Sequence, residues 1–296
     1  MKHAFIAVAL LAAAPALAAA PDWAAVDAAM GVAAAVQPDG AHRYNFPRRD
    51  LSVTLDGVQI KPALALGGWL AFKPLNSQTG GNEVMVMGDL VLTGDEVNPV
   101  MKSLEQGGVE ITALHNHLLR SAPATMYMHV GAHGDALALA KVFRAGLGFS
   151  KAPIGPAPAA ATPPASDVAI ADLDRILKAQ GRDNGGVYQY AFPRAEALKE
   201  GGMPIGGSLG AAIAINFQPT GGGKVATTGD FVLTAAEVNP VIKALHGADI
   251  EVTALHNHML ADEPRLFFMH FWANGAAAKV AGGLRAALDQ VNLEKK

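Results

Sequence analysis

The feature that most constrains this chain is an internal repeat. The hexapeptide Thr-Ala-Leu-His-Asn-His occupies residues 112–117 and returns unchanged at residues 253–258. One constant offset relates three further pairs of motifs: Gly88-Asp89 with Gly229-Asp230, Glu96-Val-Asn-Pro99 with Glu237-Val-Asn-Pro240, and Met128-His129 with Met269-His270. A constant offset leaves no net insertion or deletion between the motifs. The chain is therefore predicted to be two copies of one structural unit.

Size and composition exclude several classes of function. The chain has 296 residues, enough for two domains with their own cores. Its net charge of −3 gives no electrostatic reason to expect a nucleic-acid partner. It has no cysteine, which excludes thiolate zinc sites, iron–sulfur clusters, disulfides and cysteine nucleophiles. We expect a small molecule or a metal ion as partner. The oligomeric state stays open.

Residues 1–20 resemble a secretory signal peptide. A short basic start precedes an apolar run, and the run ends in small residues that suit signal peptidase. These parts are Lys2-His3, then Ala4 to Ala14, then Ala16-Leu17-Ala18 or Ala18-Ala19-Ala20. The run is too short for a membrane span, and no cysteine follows it for lipid attachment. We expect a periplasmic or secreted protein that is not a lipoprotein. The alternative is an alanine-rich helix of the folded domain.

The rest of the chain divides around a linker rich in proline and alanine. We expect a first repeat at 21–148, the linker at 149–167, and a second repeat at 168–296. The predicted fold is α+β, with each copy in the order strand-strand-helix-strand-strand-helix. Its sheets should be mainly antiparallel, and the copies related by a pseudo-twofold axis. Capping boxes at Thr93 and Thr234 begin the middle helices, and Pro99 and Pro240 predict a kink or a restart within them.

Three histidines in each copy predict metal binding. Alternation along the strand places Val109, Ile111, Ala113, His115 and His117 on one core-facing side, and a neighbouring strand supplies the third histidine. The metal candidates are His115, His117 and His129 in the first copy and His256, His258 and His270 in the second. Three imidazoles with a vacant position suit a divalent metal, zinc first and copper as the alternative. The competing interpretation is a set of hydrogen-bonded core histidines.

The second copy carries additional charged residues after its histidine pair. Glu263 and Asp262 are candidates for the general base of a zinc-dependent hydrolase, and Arg265 for an anion contact. For any one of these residues, a solvated polar loop is the simpler interpretation. Asp89 and Asp230 fit a turn or support for a histidine, and Arg48 and Arg194 fit an internal ion pair first and an anion contact second. The alternatives to a hydrolase are a non-catalytic periplasmic protein that binds copper, zinc or a small ligand, and a structural module.

A longer set of motifs resembles the LppY/LpqO family of exported bacterial proteins. The motifs are Gly229-Asp-Phe-Val-Leu-Thr, Glu237-Val-Asn-Pro, and Ala254-Leu-His-Asn-His-Met with Glu263-Pro-Arg-Leu-Phe-Phe-Met-His-Phe-Trp272. The resemblance spans nearly all of the chain after residue 20. It implies export and a domain present as a tandem repeat. It implies no activity, because the family is a domain of unknown function. Its named members are lipoproteins, and the missing cysteine departs from them.

Export makes a direct prediction about the mature protein. Cleavage after the small residues should leave a first residue between Ala19 and Pro21. The intact mass of protein from the periplasmic fraction measures this. A mass that retains the segment from Met1 to Ala18 would contradict export by signal peptidase.

Overall fold

The computed structural model describes residues 20–75, 81–155 and 166–295. Within them the protein is a mixed α/β structure with antiparallel sheets and two repeated regions. The predicted signal peptide and the middle of the predicted linker lie outside the described residues. No helix in the described ranges is long and apolar enough to cross a membrane.

The first repeat contains four helices and eight strands among its described residues. In chain order they are α1 (Trp23–Met30), β1 (Ala35–Val36), β2 (His42–Pro47), β3 (Thr54–Leu55), β4 (Val58–Gln59), α2 (Pro62–Ala65), β5 (Gly67–Pro74), β6 (Glu83–Thr93), α3 (Gly94–Gln106), β7 (Glu110–His115), β8 (Thr125–Asp135) and α4 (Ala136–Leu147).

The second repeat follows a similar course. Its elements are α5 (Ile170–Leu177), β9 (Arg182–Asp183), β10 (Tyr188–Pro193), β11 (Leu198–Glu200), β12 (Met203–Ile205), a 3-10 turn (Gly207–Leu209), β13 (Ala212–Gly221), β14 (Lys224–Thr234), α6 (Ala235–Gly247), β15 (Glu251–His256), β16 (Asp262–Glu263), β17 (Leu266–Ala276) and α7 (Ala277–Leu288). Before the strand-strand-helix-strand-strand-helix portion, each repeat therefore has a helix and further short strands that the predicted order omits.

Each repeat is built on one six-stranded antiparallel sheet. The strand order is β1-β2-β5-β6-β8-β7 in the first and β9-β10-β13-β14-β17-β15 in the second. The two orders match strand for strand. The histidine strands β7 and β15 are edge strands, and each pairs with the strand that carries the third histidine.

The two faces of each sheet have different neighbours. In β6, Val84, Val86 and Leu90 belong to the core that the sheet forms with the helices of its own repeat. Val91, on the opposite face, belongs to a separate apolar cluster that contains Trp272 of the second repeat. Because side chains alternate along a strand, the residues between the helix-facing positions point toward the other repeat. This inter-repeat face contains the candidate site.

The helices α3 and α6 begin as predicted but continue through their prolines. Both capping boxes are present, with the threonine and glutamate side chains bonded to backbone N–H groups. Pro99 and Pro240 lie inside single uninterrupted helices, so the predicted restart is wrong. The physical reason is position. Each proline removes only one backbone donor early in the helix, and the capped first turn before it is already held.

The capping glutamate also takes part in a buried ion pair, which confirms the predicted internal role of the arginine. Arg48 is fully buried, and its Nη1 lies 2.6 Å from the Glu96 carboxylate. The second repeat has the same contact between Arg194 and Glu237, at 2.7 Å. Each arginine also donates to the carbonyl of a central strand, Val91 or Val232. One guanidinium therefore ties a helix start to the sheet.

We predict that Glu96→Gln destabilises the protein by about 3 kcal/mol, because it leaves a buried guanidinium with less counter-charge. Burial opposes the shift, but the N–H groups of Lys151 and Thr93 and then the Arg48 guanidinium lower the pKa of Glu96. The ion pair therefore stabilises the protein fully above the ordinary glutamate pKa. This stabilisation is lost as the pH falls through the lowered pKa that Glu96 has in the folded protein.

Urea unfolding at several pH values measures this effect. Asp95→Asn is the control, because that carboxylate is exposed in the same helical turn. Equal midpoints for Glu96→Gln and Asp95→Asn at neutral pH would contradict a stabilising role for the ion pair.

Candidate metal centre

A β-bulge decides which way the histidine strands present their side chains. In β7, Ile111 pairs with Val130, whereas Ala113 pairs with His129, so Thr112 is the extra residue. The same irregularity separates Val252 from Ala254 in β15. Because a bulge shifts the alternation, Ile111 faces the helices while Ala113 and His115 face the other repeat. The prediction of one continuous core-facing stripe is therefore wrong.

The three histidines of each repeat come from three different local structures. His115 ends β7, and His117 lies in a bend just after it. His129 lies in the middle of the neighbouring strand β8, opposite Asp89 of β6. The second repeat places its histidines in the same way, with His270 opposite Asp230. The third histidine therefore does come from an adjacent antiparallel strand, as expected.

All six histidines meet in one cluster between the repeats. The ring centroids of His115 and His256 are 3.5 Å apart, and the rings are stacked. Two further stacked pairs join the repeats, His117 with His270 at 3.6 Å and His129 with His258 at 3.7 Å. The rings thus form three face-to-face pairs, each with one member from each repeat. The structure brings together all six sequence-predicted metal candidates.

The bulged threonines hold this arrangement across the interface. The Thr112 hydroxyl donates to the backbone carbonyl of His258, and the Thr253 hydroxyl donates to that of His117, both at 2.6 Å. Asn257 adds a bond from its side-chain amide to the carbonyl of Thr112. Each repeat therefore fixes the segment that carries the other repeat's second histidine. Sequence reasoning missed this role, although both threonines belong to the repeated hexapeptide.

Two buried aspartates complete the cluster. His129 Nε2 lies 3.9 Å from the nearer oxygen of Asp89, and His258 Nε2 lies 3.5 Å from an oxygen of Asp230. His270 Nε2 is 3.9 Å from the other Asp230 oxygen. The sequence suggested a turn or supporting role for these aspartates. In the structure they face the imidazole nitrogens directly.

Burial keeps the imidazoles neutral. It lowers the pKa of His115 to about 4 and that of His270 to about 3. Burial, followed by the neighbouring imidazoles, holds the pKa values of His117, His129 and His258 well below the ordinary value. A neutral imidazole has the free lone pair that a metal requires. The rings are therefore in the protonation state of ligands.

Burial acts on the aspartates in the opposite direction. It raises the pKa of Asp89 to about 8, against the opposing charge of Arg43. Burial and the charge of Asp89 together raise that of Asp230 well above its usual range. A carboxylate becomes much easier to ionise here if a cation lies beside it.

The cluster concentrates buried polar atoms that have no hydrogen-bond partner among the described residues. They are Asp89 Oδ1, Asp230 Oδ1, His256 Nδ1, and Nε2 of His115, His117, His129 and His270. His270 Nδ1 lies 2.7 Å from the carbonyl of Gly229 and must carry the proton there. Its Nε2 is therefore an acceptor that points into the cluster.

Four groups of these side chains have ligand atoms within 4.8 Å of one another. Two groups contain an aspartate: Asp89 with His117 and His129, and Asp230 with His258 and His270. Two contain histidines of both repeats: His115 and His129 with His256 and His258, and His115 and His117 with His256 and His270. The first two groups share no residue and come from one repeat each. In both of these groups an aspartate replaces the first histidine of the predicted trio.

A cavity of about 310 Å³ adjoins the cluster. Four of the histidines and both aspartates line it: His117, His129, His258, His270, Asp89 and Asp230. Aromatic rings border the cluster as well, with Tyr127 stacked on His117 at 3.3 Å and Phe268 on His258 at 3.5 Å. Arg43 and Trp69 line the same cavity, and sequence reasoning identified neither of them.

The charged residues predicted to be catalytic lie in a different setting. Asp262 and Glu263 form β16, which pairs with β11 in a small separate sheet. Asp262 is buried, and it accepts hydrogen bonds from Arg265 and from the backbone of Leu266. None of the three lines the cavity beside the histidines. Their proposed catalytic roles stay predictions.

Comparison with known proteins identifies a family. The family described as "Domain of Unknown Function (DUF1259)" matches residues 24–148 and again 171–290, together more than half of the chain. The chain belongs to this family. No curated protein matches it. The crystal structure of a trimeric bacterial microcompartment shell protein PduB matches over 89% of this chain and 96% of that one, at 10% identity and a TM-score of 0.22, too low to indicate a shared fold.

Gly229 makes a specific prediction about the sheet under the cluster. A Cβ atom there would lie 1.9 Å from the carbonyl oxygen of Ala214 in the neighbouring strand. We expect Gly229→Ala to destabilise the protein by about 1–3 kcal/mol, because backbone atoms must move to admit the methyl group. The midpoint of chemical unfolding measures the loss.

Gly282→Ala is the control for that substitution. Gly282 is exposed in helix α7 and has open space around its missing Cβ, so alanine there should raise stability slightly. A stable Gly229→Ala protein would show that β13 and β14 lie further apart than described.

Proposed function

We propose that this is an exported protein that binds divalent metal ions, with zinc first and copper as the alternative, at the cluster between its repeats. The observation that carries the proposal is the set of buried polar atoms, gathered at one point, that have no hydrogen-bond partner among the described residues. Each such atom costs about 1–3 kcal/mol, so the cluster costs on the order of 10 kcal/mol, comparable to the whole stability of a domain. A cation satisfies several acceptors at once, because every ligand presents a lone pair to it.

The chemistry of the donors supports zinc. Imidazole nitrogens and carboxylate oxygens are both ordinary zinc ligands, and the chain has no cysteine to provide thiolates. Ligands of a tetrahedral zinc ion are about 3.3 Å apart, so the 3.5–3.9 Å contacts between aspartate and histidine need only small closure. The buried, polar setting favours a metal over well-packed core histidines, since core histidines normally have hydrogen-bond partners.

The centre is proposed to hold two ions related by a pseudo-twofold axis. The two non-overlapping ligand sets, Asp89-His117-His129 and Asp230-His258-His270, supply one ion each. The stacked pairs support the axis. Exchanging the two repeats turns the pair His117–His270 into the pair His258–His129, which is also present. His115 and His256 stack on each other and would lie at that axis. Membership of the LppY/LpqO family is part of the same proposal and rests on the motif around His256, His258 and His270.

Hydrolysis is the second candidate function. The adjoining cavity favours it, because three protein ligands leave a coordination position for water and the cavity gives a substrate access to that position. The hydrogen bonds of Asp262 and its pairing with β11 favour a structural role for β16 over general-base catalysis.

Metal analysis tests the proposal with matched variants. We expect wild-type protein from its export compartment to contain two zinc ions per chain by elemental analysis. The double variants His117→Gln/His129→Gln and His258→Gln/His270→Gln should each retain one, because each removes two of the three ligands of one set. Added zinc should raise the unfolding temperature of metal-stripped wild-type protein by mass action.

The control variant removes the same number of imidazoles elsewhere. His133 and His246 are exposed histidines outside the cluster, so His133→Gln/His246→Gln should keep the full metal content. If either cluster variant lost all of its metal, the metal would be bound by one shared set of ligands and not by two separate sets. Metal-free wild-type protein whose unfolding temperature responds to neither zinc nor copper would refute metal binding.

A further inference from the structure

A basic groove leads to the cavity beside the histidine cluster. The groove has a volume of about 1080 Å³ and is lined by both repeats. It shares wall residues with the inner cavity, among them Arg43, Gly67 and Gln189. The groove therefore forms the entrance to the proposed metal centre.

The charges on the groove wall all have the same sign. Among the described residues, four cationic side chains line it, Arg43, Arg49, Lys61 and Arg182, and no carboxylate does. None of the four makes an ion pair among the described residues, although most other arginines of the chain do. The undescribed segments contain no aspartate or glutamate side chain. On a chain of net charge −3, such a grouping creates a local field that attracts anions.

Arg43 lies where the groove meets the cavity. Its guanidinium stacks on Trp69 at 3.9 Å from the ring centroid, and Nη1 donates to the carbonyl of Ser208. Burial lowers the pKa of Arg43 to about 10, with the charge of Asp89 opposing the shift, so the group stays cationic at neutral pH. Nε also donates to the side-chain oxygen of Asn45 at 3.4 Å. The ring, the amide and the carbonyl orient the guanidinium, and Nη2 is the part left to donate to an anion.

Among its described residues, the second repeat has no such cation on its side of the cavity. Its counterpart to Arg43, three residues before the shared Phe-Pro-Arg motif, is Gln189, which donates to the carbonyl of Ala63. Within the cavity, the cationic side chain therefore belongs to the first repeat alone among the described residues.

We propose that the groove and cavity bind an organic phosphate, with the phosphoryl group against Arg43 and the remainder in the groove. Phosphate carries nearly two negative charges and three acceptor oxygens, which suits several unpaired cations better than a single carboxylate charge does. The volume admits a molecule of ordinary metabolite size. This inference rests on the proposed metal centre in one respect only, the contact that the phosphoryl group makes at the floor of the cavity.

Calorimetric titration with three aromatic probes of similar size tests the ligand class. Phenyl phosphate should bind wild-type protein, benzoate should bind about tenfold more weakly or worse, and benzyl alcohol should show no measurable binding. Raising the salt concentration should weaken phenyl phosphate binding, because the groove is open to solvent. Equal affinity for benzoate and phenyl phosphate would overturn the choice of phosphate.

Variants of the groove test its location. Arg43→Gln, which copies the residue of the second repeat, should lower the affinity for phenyl phosphate about tenfold or more. Arg43→Lys should lose less, because it keeps the charge without the planar guanidinium. It also covers the case in which Arg43→Gln fails to fold. Lys279→Gln is the control, since Lys279 is an exposed helix residue paired with Asp249 far along the chain from the groove residues.

Repeating the titrations on chelator-treated protein separates this inference from the proposed function. Arginine-dependent binding that persists without metal supports the groove, even if wild-type protein proves to contain no metal. Binding that chelation abolishes and Arg43→Gln leaves unchanged would mean a metal-bound anion only, and would overturn the groove while the metal centre stands. Equal binding by wild type, Arg43→Gln and Arg43→Lys, with or without metal, would also overturn it.

Discussion

Two hydroxyl hydrogen bonds between the repeats hold the arrangement on which the site depends. Thr112 and Thr253 each bond the carbonyl of the other repeat's second histidine. Both threonines are the extra residues of β-bulges, and the bulge is what turns the following histidines toward the partner repeat. Removing the bulge would return His115 and His256 to the opposite faces of their sheets. The bulge at each threonine therefore determines both the contact between the repeats and the orientation of the histidines.

The ion pair behind each helix α3 and α6 has a related function in the sheets. The Arg48 guanidinium joins the helix start at Glu96 to the carbonyl of Val91. Asp89 lies two residues before Val91 on the same strand and the same face. The end of that strand is therefore held from the helix side while its aspartate faces the histidines. The second repeat repeats the arrangement through Arg194 and Glu237.

The sequence predicted much of this because local signals agree with the fold. Capping boxes are properties of neighbouring residues, and they led to the correct starts of α3 and α6. The constant offset between the motifs led to the two repeated regions. The failures concern long-range geometry. Alternation cannot reveal the bulge at Thr112, since the extra residue has ordinary strand propensity. Arg43 and Trp69 lie on β2 and β5, remote in sequence from every histidine of the cluster. The contact between the two copies depends on how their surfaces pack together, and the local patterns within one repeat do not predict that packing.

Covalent linkage of the two copies has a consequence for how the cavity walls can differ. In a dimer of identical chains, an arginine on one wall must appear on the other, because symmetry applies each substitution twice. Here Arg43 and its counterpart Gln189 both line the cavity. Trp69 and Ala214 occupy matching positions beside the aspartates. The proposed metal ligands are equivalent in both halves, whereas the cavity wall carries a cationic side chain in the first repeat and a neutral one in the second. A fused pair can therefore keep a symmetric cluster of histidines and aspartates beside an asymmetric entrance.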